Sequence, residues 1–197
     1  GFLALALAFS ARAVLGLAMP IWESELAWSR GYVSNVAAVA LLIMATVAPV
    51  SGFIIDRKGL RFTLLLGLIA VFTSCVVISM AQSAWALLIG FGVIGGVGFG
   101  IIATHVVASA VARVYPTKVG FASGIATSGS TAGQFLIVPL IAFIFASFSW
   151  RWGFAGLAVG IACLIPLVWW VPSNKPDKEP NNLSLVKKTT AFRSIVK

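Results

Sequence analysis

The sequence predicts an all-α membrane protein, and three observations carry that prediction: 60% of the 197 residues are hydrophobic, only 10% are charged, and the mean hydropathy is +1.04. A soluble domain has roughly 25% charged residues. Five acids and fourteen bases cannot cover the surface of a folded chain this long, so soluble, secreted, disordered and coiled-coil classes are excluded together. A spanning helix needs about 20 apolar residues to cross a hydrocarbon core of about 30 Å. Six stretches qualify, at residues 1–21, 32–55, 62–80, 85–112, 119–146 and 152–171. A spanning barrel would show segments of about ten residues alternating apolar and polar, and no such alternation occurs.

The first stretch has no basic leader and carries Arg12 in its middle, so it reads as a span rather than a signal peptide. Because the chain opens on Gly1 and not Met, a further segment upstream is expected. The second and third spans are joined by the basic loop around Asp56, Arg57, Lys58 and Arg61. The fourth carries Gly92, Gly96 and Gly100 at four-residue spacing, which lays bare backbone along one face for close helix contact. In the fifth, Gly120, Gly124, Gly129 and Gly133 accompany a polar arc. At about 100° per residue, Ser123, Thr127, Ser130, Thr131 and Gln134 fall within one third of the circumference. That arc either meets another helix, with its hydroxyls bonded back to their own backbone, or lines a watery path. The sixth span is almost wholly apolar. The expected organisation is a six-helix bundle over residues 1–171 and a basic cytoplasmic linker over 172–197, where Pro172, Pro176 and Pro180 precede Lys187, Lys188, Arg193 and Lys197. The tail reads either as a solvated linker or as a segment lying on an anionic leaflet.

Orientation follows from the bases. Eleven of the fourteen lie in the second-to-third loop, the fourth-to-fifth loop and the tail, two (Arg30 and Arg151) lie on the other side, and Arg12 is within the membrane. The positive-inside bias therefore predicts a multi-pass protein of a cell (inner or plasma) membrane with both termini cytoplasmic. All seven tryptophans fall near span ends, as expected of aromatics at the membrane interface. The net charge of +9 is assigned to lipid headgroups, with no nucleic acid as partner. Cys75 and Cys163 have no Cys or His at ligand spacing and read as packing thiols, with no metal and no cofactor expected.

Arg12 is the most informative residue, because a mid-membrane arginine costs about 2.5–3.5 kcal/mol on insertion scales. No Asp or Glu lies in the six spans. Its counter-charge is then an anionic ligand or an acid outside this chain, unless the side chain snorkels or bonds backbone carbonyls. His105, the one histidine, is either a packing residue or a proton carrier. One His, no intramembrane acid and no phosphate-cradling loop leave nothing from which to build an enzyme site.

Gly52, Asp56, Arg57, Gly59 and Arg61 form G-x-x-x-D-R-x-G-x-R. This resembles the signature between the second and third helices of the major facilitator superfamily, with Phe62 where a further base often stands. Trp28-Ser29-Arg30, the run from Pro49 to Gly59, the glycine-rich fourth span, Gly129-Ser130 with Gly133-Gln134-Phe135, and Trp150-Arg151-Trp152 are similar to the monocarboxylate transporter and oxalate/formate antiporter branch. Gly120, Gly129 and Gly133 also echo the antiporter signature of the fifth helix. Gln134 replaces its proline, which counts against drug efflux. The resemblance implies six transmembrane helices forming one half of a major facilitator fold, as two inverted three-helix repeats, with substrate held between this half and a C-terminal six-helix half in the same chain or a second subunit. It also implies that the first and fourth helices line the cavity and that the third and sixth face lipid.

The expected function is then the N-terminal half of a secondary transporter moving small organic anions, monocarboxylate-like, by alternating access across the lipid bilayer. Arg12, Gln134, Thr127 and Thr131 are the substrate-binding candidates and His105 the coupling candidate. Gly52, Asp56, Arg57, Gly59 and Arg61 are the candidates for a gating latch between halves. The alternatives are a truncated or half-size membrane protein without transport activity, and a half of a drug or cation efflux pump, which calls for an intramembrane acid.

Overall fold

A computed structural model describes residues 2–114 and 119–170, and the described residues form helices and short turns with no strand. The expected linker at 172–197 lies outside them. Five helices are long and apolar enough to cross a membrane: Phe2–Leu26, Arg30–Ser79, Ala84–Ala108, Val119–Ser147 and Trp150–Trp170.

Helix α1 (Phe2–Leu26) runs five residues past the expected span. It stops where Ala27 takes a left-handed conformation, φ 53°, which brings the Trp28 N–H to the Trp22 carbonyl at 3.3 Å. Ser29 then caps the next helix by accepting from the Tyr32 N–H at 3.2 Å, satisfying one of the donors that a helix start leaves unpaired.

Helix α2 (Arg30–Ser79) has 50 residues, about 75 Å at 1.5 Å per residue, far more than one crossing uses. It is interrupted at Gly59, whose φ of 81° and ψ of 167° are not helical. Here the sequence expectation is corrected: the loop expected between residues 55 and 62 is reduced to one glycine. A residue with a Cβ would be strained at this φ, and glycine is not.

The glycine-rich fourth span is also corrected, because it is not one regular helix. A short α3 (Ala84–Leu87), N-capped by Ser83, passes into a π-helical stretch, Leu88–Gly95, then α4 (Gly96–Ile101). The ladder stops at Ile102, φ −94° and ψ 32°. It restarts from the Ala103 carbonyl, which accepts from the Val106 and Val107 N–H groups at 3.0 and 3.3 Å, giving α5 (Thr104–Val114). Glycine is a poor helix former by about 1 kcal/mol per residue, so with Gly90, Gly92, Gly95, Gly96, Gly98 and Gly100 in eleven residues the neighbours dictate the winding. A methyl group at Gly96 would sit 2.9 Å from the Ala40 carbonyl oxygen, and one at Gly100 3.0 Å from that of Met44. On the other side, Gly95 and Gly98 would each bring one to 2.9 Å, from the Ser74 hydroxyl and the Val71 nitrogen. The seam therefore lies between the two parts of α2.

Helix α6 (Val119–Ser147) packs chiefly on α1 through glycine. A Cβ on Gly129 would run into the Phe2 backbone, and one on Gly133 into Ala6. Helix α7 (Trp150–Trp170) lies along α2. Where α1, α2 and α7 meet, Trp22 is fully buried. It stacks on Phe154 at 5.9 Å, meets Trp150 edge-on at 5.5 Å and lies 5.8 Å from Trp28. The expectation of interfacial tryptophans holds in exposure for Trp85, Trp152, Trp169 and Trp170, but Trp22 and Trp150 are core residues with no exposed surface. Converging helix ends give two indoles more contact with each other than lipid headgroups would, which is the dispersion and area gain of aromatic packing.

Candidate functional site

Helix α1 places Arg12 on a face turned away from the core, and its side chain is exposed in this chain. It borders a cavity of about 180 Å³ walled by Ala8 and Phe9 of α1, Met44, Ala45 and Ala48 of α2, and Phe99, Ile102, Ala103, Thr104 and His105 around the α4–α5 break. The guanidinium lies 5.8 Å from the Phe9 ring centroid, within cation–π range. Among the described residues Arg12 has no ion-pair or hydrogen-bond partner. The lining is otherwise alanine, aromatic ring and aliphatic carbon, with Thr104 and His105 the other polar groups. A cation on an apolar wall, with the other polar side chains gathered on one segment of the lining, suits a small ligand with one charged and one apolar end.

The structure brings Arg12 and His105 to the same cavity. It does not bring Thr127, Thr131 or Gln134 to its wall. On α6 the hydroxyl of Thr127 donates to the Ser123 carbonyl at 2.8 Å, and Ser130 donates to the Thr127 carbonyl at 2.8 Å. These two hydroxyls satisfy themselves on their own helix, as Ser10, Thr63 and Thr73 do elsewhere, the usual arrangement where no water is at hand. Thr131 is exposed and Gln134 half-buried.

The α4–α5 break is not visible in the sequence, and it places Thr104 and His105 on the wall of the cavity that Arg12 borders. The available signal was the glycine density running up to Ile101-Ile102, which marks weak winding but not the place where it fails.

At the basic end, where Ile55 and Leu60 pack on Ala103 and Val106 around the α4–α5 break, Gly52 is half-buried with open space where a Cβ would stand, and Asp56 and Arg57 are exposed. Arg57 lies 4.2 Å from the Phe53 ring centroid and Lys58 lies 4.5 Å from that of Phe62. Arg61 crosses to α7, donating from Nη2 to the Trp169 carbonyl and lying 5.2 Å from the Trp169 ring. Arg61 thus ties the segment after Gly59 to α7 within this bundle.

The sequence profile of the Major Facilitator Superfamily matches residues 1–197. This chain belongs to that superfamily. Members are multi-pass membrane transporters and not enzymes, in keeping with the helices described above. Similar proteins include monocarboxylate transporter 14 of Mus musculus, 30% identical over 137 residues that make up 70% of this chain and 27% of that protein. Monocarboxylate transporter 11 of Mus musculus is 26% identical over 137 residues, 70% of this chain and 30% of that protein. The MFS-type transporter eupM of Phoma sp is 28% identical over 119 residues, 60% of this chain and 39% of that protein. The matched stretch is thus 27% to 39% of each of these relatives. The likeness to the two monocarboxylate transporters is 26% to 30% identity over 137 residues.

Proposed function

We propose that this chain is the N-terminal half of a secondary transporter for small organic anions of monocarboxylate type, working by alternating access. The observation that carries the reading is Arg12, a guanidinium beside an apolar cavity with no acid to pair with it among the described residues. A carboxylate supplies the missing counter-charge, and the planar fork of arginine matches its two oxygens. The alanine and phenylalanine walls suit the short hydrocarbon end of a monocarboxylate. The similarity to monocarboxylate transporters 14 and 11 supports the same class. A cation or drug efflux pump would want an acid in these spans, and the sequence offers none there.

In this reading His105, which lines the same cavity as Arg12, carries the coupling proton, and Thr131 and Gln134 of α6 complete the site from the side toward the second half. Thr127 has its hydroxyl proton committed to Ser123 and serves only as an acceptor, a poor match for a carboxylate. On the same reading the interruption of α2 at Gly59 divides one long helix into two crossings, for six spans in all, arranged as two inverted three-helix repeats. A C-terminal six-helix half, in the same chain or a second subunit, closes the site. The bias of bases puts both termini in the cytoplasm of a cell membrane, and the Gly52-to-Arg61 turn, with Asp56 and Arg57 exposed, latches the two halves there.

The test is uptake of labelled monocarboxylate by the full chain, normalised to surface expression, with binding measured separately. Arg12→Ala should weaken binding about ten- to a hundredfold, the value of a charge-assisted hydrogen-bonded contact, and abolish uptake. Arg12→Lys should rescue little, because a point charge lacks the fork. Near-normal binding and uptake in Arg12→Ala would remove the assignment.

A further inference from the structure

The outer surface of α7 carries two grooves that the transport reading does not use. One, of about 660 Å³, includes Cys163, Pro166, Trp169 and Trp170 in its lining. The other, of about 560 Å³, lies between α7 and the second part of α2, with Phe72 and Val76 on the α2 side, and shares Cys163 and Pro166 with the first. The two meet at these residues. Their lining on α7 runs from Ala155 to Trp170, about 22 Å of helix rise against about 15 Å for half the hydrocarbon core. A chain of methylenes anchored at Trp170 stays in contact with the groove through its whole leaflet.

The groove ends at Trp169 and Trp170, where Arg61 reaches α7. Arg61 is fixed there by the Trp169 carbonyl and ring, which occupy one of its five N–H donors and leave the rest for an oxyanion. Lys58 rests over Phe62, the neighbour of Arg61, and Arg57 rests over Phe53. Cations held against aromatic faces at the end of an apolar groove present charge at headgroup depth while their stems stay in hydrocarbon.

We propose that this surface is a binding site for one anionic phospholipid, with its phosphate at Arg61 and Lys58 and an acyl chain along α7 past Pro166 and Cys163. The site requires only that the chain sits in a bilayer. It stands or falls separately from the substrate at Arg12.

Cys163 is exposed in the groove and Cys75 is buried, so Cys163 alkylation reports occupancy. In the full chain, with Cys75 and any other cysteine replaced by alanine, N-ethylmaleimide labelling is followed in mixed micelles as lipid is added. Phosphatidylglycerol should slow labelling with a midpoint at least fivefold below that of phosphatidylcholine. Lys58→Gln, at an exposed position that threatens no packing, should raise the phosphatidylglycerol midpoint about fivefold, the value of about one interfacial base. Arg61→Gln should raise it further, with Arg61→Lys in between. Equal midpoints for the two lipids would overturn the proposal, as would a phosphatidylglycerol midpoint unchanged in both Lys58→Gln and Arg61→Gln. Protection by inorganic phosphate alone would overturn the acyl-chain half of it.

Discussion

The two ends of the bundle are held by different chemistry. At the aromatic end, Trp22, Trp28, Trp150 and Phe154 interlock and polar groups cross between turns. The Trp150 indole donates to Glu25 at 2.8 Å, Arg30 pairs with Glu23 at 2.6 Å, and the Tyr32 hydroxyl donates to the Ala84 carbonyl at 2.5 Å. Arg151, stacked over Trp150 at 4.3 Å, reaches the Ala81 carbonyl at 3.4 Å. At the basic end a single glycine interrupts α2, one arginine reaches another helix, and the remaining cations described there lie over exposed rings. Buried aromatic area and cross-turn bonds make the first end a fixed point. The second end depends on backbone conformation and on charge, which are the terms that salt, lipid and a partner domain can change.

Substitutions at each end test that contrast. The largest effect is expected for Trp150→Ala, which empties a fully buried indole site and leaves Glu25 without its donor. The cost should be about 3–5 kcal/mol, read as a drop in the midpoint of thermal unfolding of the solubilised protein. A drop no larger than that of an exposed Trp152→Ala would mean the aromatic end is not the fixed point. Between the ends, Gly133→Leu should cost about 1–3 kcal/mol through overpacking against the Ala6 backbone. Gly124→Ala, where nothing stands within 4 Å, should be neutral or slightly stabilising. Similar losses for the two would show that α1 and α6 do not cross on bare backbone.

Gly59→Ala should cost about 1–2 kcal/mol, the strain of a Cβ at positive φ, with the loss confined to the basic end in hydrogen exchange. Exchange rising equally around Trp22 would erase the distinction. The smallest change is Arg61→Gln, at about 0.5–1 kcal/mol for a partly exposed cation–π contact with one bond. A fall in stability as large as that of Trp150→Ala would place the anchor at the wrong end.

Much of the helix placement is written in the sequence, because bilayer thickness fixes the length of an apolar run. The caps at Ser29 and Ser83 follow from side-chain chemistry within three residues. What was hidden depends on distance along the chain or on packing. Arg61 finds Trp169 across 108 residues, and nothing local marks that partner. Trp22 and Trp150 lie at span ends like the other tryptophans, and only the convergence of three helices buries them. Hydrophobic periodicity reports which face is apolar, not how tightly a glycine-rich helix is wound, so the π-helical stretch and the break at Ile102 were invisible. The Arg12 cavity is half legible: the lone charge marks one wall, while the break that brings Thr104 and His105 to the same cavity does not show.

The glycine seam has a consequence for how this chain can change over generations. Each bare position on one face is matched to an atom of α2 on one side of the break at Gly59, and those on the other face are matched to atoms beyond it. A side chain gained at Gly96 meets the Ala40 carbonyl oxygen, and one gained at Gly98 meets the Val71 nitrogen, backbone atoms that no exchange of a neighbouring side chain removes. Each face is thus closed to larger residues by a different part of α2, although the glycines of the two faces alternate along one short segment.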